Sequence, residues 1–274
     1  MLAGSMTARP KCDISLMPVS YTHLKGYAIL ASDGKIGTVA DFLFDDDSWL
    51  VRWLVVDTGN WLSGRMVLLP PFVLGHADPA KREFSVRLTM AQVKASPDVD
   101  TERSVSRQME SNVYDYYGWR PYWGSGIYMG GYGYAGDAWT GLAPLGSRRR
   151  EEETASNRRD NDDPHLRSIQ SVTGYHINAS DGEIGHVETM LVDDADWSIH
   201  YLVVDTKNWW PAKKVLISPA SAHDINWSDR LLNLDVDRQK VKSSPEYDEL
   251  VTVDRNYERR FRDHYGGIGV LDRP

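Results

Sequence analysis

Carboxylates recur in this chain where they could do chemistry. Asp45, Asp46 and Asp47 form one acidic run, and Asp193 and Asp194 form another. Neighbouring aspartates can hold calcium, but calcium takes several more oxygen ligands at loop spacing. Asp47 is replaced by Ala195 in the second run, so the ligand count falls and no calcium site is expected. Asp33 and Asp181 each precede a glycine. Either could serve as an acid, but Asp-Gly is first a turn signal, because Asp tolerates positive φ. His176, His186, His200 and His223 stand where the first half of the chain has Ala28, Thr38, Arg52 and Gly75. Their spacing matches no zinc motif. A phosphate-binding Gly-Lys-Ser/Thr loop, a Gly-x-Ser-x-Gly elbow and a His-Glu-x-x-His helix are missing from the sequence. No catalytic residue, metal ligand or cofactor is expected, and the chain reads as a non-enzyme.

The elements around these residues are written twice. "LVVDTGNW" at residues 54–61 and "LVVDTKNW" at residues 202–209 differ in one letter and lie 148 positions apart. The same offset aligns residues 26–58 with 174–206, and the register holds without a gap through Pro97 and Pro245. A period this long indicates a duplicated domain rather than a solenoid.

Inside each unit the signals are mostly β. "SDG" at residues 32–34 and 180–182 marks a hairpin turn. A strand over 35–44 runs into the acidic turn, and a longer β-rich run follows it. "MVLLP" and "KVLIS" predict a further strand. Phe84, Val86 and Leu88 alternate with Ser85, Arg87 and Thr89, and Leu232, Leu234 and Val236 repeat the apolar set. That period of two marks a sheet with one buried face. Several short strands at this spacing predict a small antiparallel barrel. A helix then follows each barrel, because Val105, Met109, Val113 and Tyr117 share one face, as do Val253, Tyr257, Phe261 and Tyr265. The expected fold is mainly β, with two small antiparallel barrels in tandem, each followed by a short amphipathic helix. The units run over 20–118 and 168–266. Residues 119–165, rich in Gly, Tyr and Trp and then in charge, read as a linker.

The net charge of −8 disfavours direct contact with a phosphate backbone. Cys12 is the single cysteine, which leaves no internal disulfide. No run of about 18 apolar residues occurs, so no membrane span is expected, and the expected location is the cytoplasm.

The shared pattern, Gly-Tyr, then Ser-Asp-Gly-x-Ile-Gly-x-Val, Asp-Asp, Trp and Leu-Val-Val-Asp-Thr-x-Asn-Trp, resembles the PRC-barrel domain. That barrel occurs in the cytoplasmic part of the photosynthetic reaction-centre H subunit and in a ribosome-maturation factor. The resemblance implies a barrel that docks onto other proteins and supplies no catalytic residue. The leading expectation is a scaffold or adaptor that binds a partner protein, in a reaction-centre-like or assembly-factor setting. Its two units would form an intramolecular pseudo-dimer, or the chain a homo-oligomer. The alternative is a small-ligand or metal-sensing module that uses the cleft between the barrels. Asn60 and Trp61, with Asn208, Trp209 and Trp210, are the candidate interface residues, because Asn-Trp follows the central strand in both units and Trp is enriched in interface cores.

Overall fold

The computed structural model describes residues 18–97, 105, 107–123, 166–206, 213–249 and 253–266. These residues form two mixed sheets and few helices. The strands in chain order are β1 (Val19–Ser20), β2 (Ala28–Ala31), β3 (Gly34–Asp45), β4 (Leu50–Asp57), β5 (Met66–Leu69), β6 (Leu74–Asp78) and β7 (Glu83–Val86). The second series is β8 (Leu166–Ser168), β9 (His176–Ala179), β10 (Gly182–Val192), β11 (Ile199–Asp205), β12 (Lys214–Ile217), β13 (Ala222–Asn226) and β14 (Leu231–Leu234). One sheet has the order β5-β4-β3-β2-β7-β6, and the other has β12-β11-β10-β9-β14-β13.

Two features depart from the expected antiparallel barrel. β2 runs parallel to β7, and β9 runs parallel to β14. Neither sheet closes through a ladder between its terminal strands. The reason lies at the chain link between those strands. Pro70 and Pro71 separate β5 from β6, and Ser218 and Pro219 separate β12 from β13. Proline has no N–H to extend a ladder. The link turns as a short 3-10 segment instead, at Pro71–Val73 and at Pro219–Ser221.

The repeated "LVVD" is a strand buried on both faces. Leu54 and Val56 point into the main core, while Trp53 and Val55 point outward beneath the helix Arg107–Tyr117. Trp53 Nε1 donates to Glu110 Oε1 on that helix at 2.6 Å. In the second sheet, Tyr201 takes the outward role and meets Phe261 of the helix Arg255–Tyr265 at 5.0 Å. A strand covered twice needs an unbroken apolar run rather than alternation. The helix Arg255–Tyr265 buries Tyr257, Phe261 and Tyr265 of its predicted face, whereas the helix Arg107–Tyr117 buries Val113 and Tyr114 and leaves Met109 and Tyr117 half-buried; Val105 and Val253 are buried just before the helices begin.

The two sheets exchange their first strands. β1 pairs with β10 of the other sheet, Val19 opposite Val192 and Ser20 opposite Leu191. β8 pairs with β3, Arg167 opposite Phe44 and Ser168 opposite Leu43. These pairs map onto one another under the offset of 148. The backbone bonds beside them are equally reciprocal: Val51 N donates to Trp197 O at 2.8 Å, and Ile199 N donates to Trp49 O at 2.9 Å. Leu50 bridges to Ser198 between them. Apolar residues of both sheets form one continuous core.

Tyrosines in and around this core make stability sensitive to alkali. Burial pushes the phenols of Tyr117, Tyr201, Tyr247 and Tyr265 up to about 12. It also raises Tyr257 and Tyr21, the latter helped by the Asp41 carboxylate. An unfolded tyrosine ionises near 10. Folded pKa values above the unfolded one mean that this stability is complete below about pH 10 and is lost as pH rises through about 12. Titration followed by absorbance at 295 nm and by circular dichroism should show these tyrosines ionising together with unfolding. Ionisation centred at pH 10 in an intact fold would contradict this burial.

Candidate functional site

Most of the sequence-selected polar residues are builders of turns. Asp33 Oδ1 accepts Met90 N at 2.7 Å, and Asp181 Oδ1 accepts Arg238 N at 2.7 Å. Each carboxylate thus satisfies the free N-terminal N–H of a short helix, Met90–Lys94 or Arg238–Lys242. The expected positive φ belongs to the neighbouring glycine at Gly182 (+142°) and not to the aspartate. Asp57 Oδ1 accepts Gly59 N at 2.8 Å. Thr58 and Thr206 donate to the carbonyls of Arg65 and Lys213, each at 2.6 Å. The "VDT" ending therefore closes the loop after the central strand in both sheets.

Of the candidate interface residues, Asn60 is exposed and Trp61 half-buried in the 3-10 turn Gly59–Leu62. Trp61 packs against the core and donates through Nε1 to the carbonyl of Ile36 in its own sheet. Asn208, Trp209 and Trp210 lie outside the described residues, as does most of the linker, 124–165. Trp119, Tyr122 and Trp123 at its start pack on the helix Arg107–Tyr117. Trp119 stacks on Tyr117 at 4.1 Å, and Trp123 meets Tyr114 edge-on at 5.4 Å.

A different tryptophan pair stands where the sheets meet. Trp49 and Trp197 are buried, and both adopt positive φ (55° and 61°) in the turns after β3 and β10. Trp197 reaches into the first sheet, with ring centroids 5.9 Å from both Phe42 and Phe84. Their spacing in the repeat was the signal available in the sequence, but nothing local separates this pair from Trp61 and Trp209.

Beside this junction lies a cleft of about 470 Å³. Leu50, Arg52, Phe72 and Tyr122 line it from one side, and Asp194 and Trp197 from the other. The Arg52 guanidinium sits 4.1 Å from the Tyr122 ring centroid, a cation–π contact. Phe72 (51% exposed) and Tyr116 (40%) are the large apolar side chains left in solvent among the described residues. They are joined through aromatic contacts: Phe72 meets Trp119 at 5.1 Å, Trp119 stacks on Tyr117, and Tyr117 meets Tyr116 at 4.7 Å. Ala220 and His264 occupy the corresponding positions of the second half.

The structure also gathers three ligand-type side chains that the sequence did not single out as a set. Donor atoms of Asp193, Asp196 and His200 lie within 4.8 Å of one another. Burial pushes the Asp193 carboxyl up, and Asp196 and Asp194 add to this, against the Ala195 N–H and His200, which lower it.

Residues 19–81 match the PRC-barrel domain family. The PRC-barrel match thus runs from the exchanged strand β1 to the turn between β6 and β7. An uncharacterised protein of Deinococcus radiodurans is 35% identical over 75 residues, which is 27% of this chain and 27% of that protein. The chain thus spans about a quarter of that relative's length. Among the described residues, no helix is long and apolar enough to cross a membrane.

Proposed function

We propose that this chain is a non-enzymatic scaffold in which two PRC-type units, related by duplication, pair as an intramolecular pseudo-dimer and dock a partner protein. The reciprocal strand exchange supports the pseudo-dimer, because isologous contacts are those that two copies of one ancestor would make. The observation that carries the docking role is the aromatic face. Phe72 and Tyr116, the two exposed large apolar side chains among the described residues, belong to one aromatic cluster that joins the link Pro71–Val73 to the helix Arg107–Tyr117. Rigid exposed aromatics are the usual anchors of protein interfaces. The turn at Asn60 and Trp61, with its counterpart at Asn208, Trp209 and Trp210, is a second surface of the same kind in this reading. The cleft of about 470 Å³ favours the other reading, a small ligand held between the units.

The test uses the full chain as bait in native extract. A Phe72→Ala/Tyr116→Ala double variant should lose its specifically captured partner by roughly 30-fold or more, since one interface hot spot contributes about 2 kcal/mol. Its melting temperature should stay near that of the parent. Equal recovery with both baits would rule out this face as the docking surface.

A further inference from the structure

We propose that Asp193, Asp196 and His200 form a binding site for a first-row divalent transition cation such as Zn²⁺. The proposal does not depend on the scaffold reading. Its basis is a comparison of two equivalent places within the molecule. In the first half the corresponding residues are Asp45, Ser48 and Arg52. There the Arg52 guanidinium fills the hollow itself. Its Nη2 donates to Ser48 Oγ at 3.1 Å and lies 3.8 Å from Asp45 Oδ2. One permanent cation thus faces one carboxylate, and the place is neutral.

In the second half two substitutions act in the same direction. Ser48 becomes Asp196, which adds a carboxylate, and Arg52 becomes His200, which removes the permanent charge. An imidazole, a common metal-ligating side chain, thus stands beside two carboxylates where the first half sets a permanent guanidinium beside one. Among the described residues, the ion-pair neighbour of Asp193 is His200 Nε2, 3.8 Å from Asp193 Oδ2.

The side chains are held for convergence. Asp193 Oδ1 accepts Ala195 N at 2.8 Å, and Asp196 Oδ1 accepts Ser198 N at 2.9 Å and Ser198 Oγ at 2.5 Å. Asp193 Oδ2, not used in that turn contact, lies 3.8 Å from His200 Nε2. A bound Zn²⁺ would draw the donors to about 3–3.5 Å from one another, a small rotation for Asp196, whose side chain is exposed. One imidazole and two carboxylates suit Zn²⁺, Co²⁺ or Mn²⁺ better than Mg²⁺ or Ca²⁺, which favour oxygen ligands.

The full chain, dialysed against Zn²⁺ and assayed by elemental analysis, should retain one equivalent more than either His200→Arg or Asp196→Ser. His200→Arg rebuilds the arrangement of the first half, so its circular dichroism and melting should match the parent. The converse Ser48→Asp/Arg52→His variant should gain one equivalent. Excess Ca²⁺ or Mg²⁺ should displace at least tenfold less Zn²⁺ than excess Co²⁺ does. Equal Zn²⁺ content in the parent and both single variants would overturn the site. Displacement by Ca²⁺ as effective as by Co²⁺ would overturn the assignment of cation class.

Discussion

Gly185→Ala should destabilise the protein by about 3 kcal/mol or more, with Gly37→Ala close behind. A Cβ built at Gly185 falls 2.1 Å from the carbonyl oxygen of Asp205, and one at Gly37 falls 2.0 Å from that of Asp57. Both obstacles are backbone of the central strand, which cannot swing aside as a side chain can. Gly185 also sits at φ +143°, a region L-residues rarely enter. It lies at a register shift between β10 and β9, where the strand must bend to meet two neighbours at once. Gly26 and Gly174 provide the control. They also have positive φ (+80° and +88°), but nothing lies within 4 Å of an added Cβ. Alanine there should cost only about 1 kcal/mol, the backbone penalty alone. Urea denaturation of the four variants separates the two terms. Equal losses at Gly185 and Gly174 would show that close approach to the Asp205 carbonyl is not what demands glycine.

Trp197→Ala should cost about 3–5 kcal/mol, the range for deleting a buried aromatic. Trp197 is 8% exposed, and its ring packs against Phe42 and Phe84 of the opposite sheet. The strand exchange and the shared core tie both sheets to this junction. The unfolding midpoints of both halves should therefore fall together, followed by circular dichroism and tryptophan fluorescence. A loss under about 1 kcal/mol would mean that the sheets are held by their exchanged strands and not by this side chain.

The same residues show where sequence reading reaches and where it stops. Alternation at Phe84, Val86 and Leu88 is a local property, and the structure buries those three side chains. The amphipathic faces of Arg107–Tyr117 and Arg255–Tyr265 are local in the same way. β1 and β8 are too short, at two and three residues, to show any period. Their pairing across sheets depends on contacts distant in the chain. The parallel pairing of β2 with β7 likewise depends on how the hairpins assemble. For the tryptophans, Trp49 recurs as Trp197 just as Trp61 recurs as Trp209, but the sequence reading selects only Trp61 and Trp209 of these four, and only the fold places Trp49 and Trp197 at the junction. The acidic cluster illustrates a different limit. Its signal lay in what the two halves do not share, Asp196 for Ser48 and His200 for Arg52; sequence spacing weighs the histidines against one another, and only the fold brings His200 to the two aspartates rather than to another histidine.

The bridge between Leu50 and Ser198 has one more implication. In a symmetric pair of separate chains, a residue on the axis would meet its own copy, and every mutation would appear on both faces at once. Here the positions that meet are encoded separately, and they already differ. A change that suits one face need not be tolerated by the other. Phe72 opposite Ala220, and Arg52 opposite His200, are differences that an obligate pair of identical chains could not hold. In the proposed pseudo-dimer, joining the two halves in one polypeptide thus frees each face to specialise while the contacts that hold them together stay reciprocal.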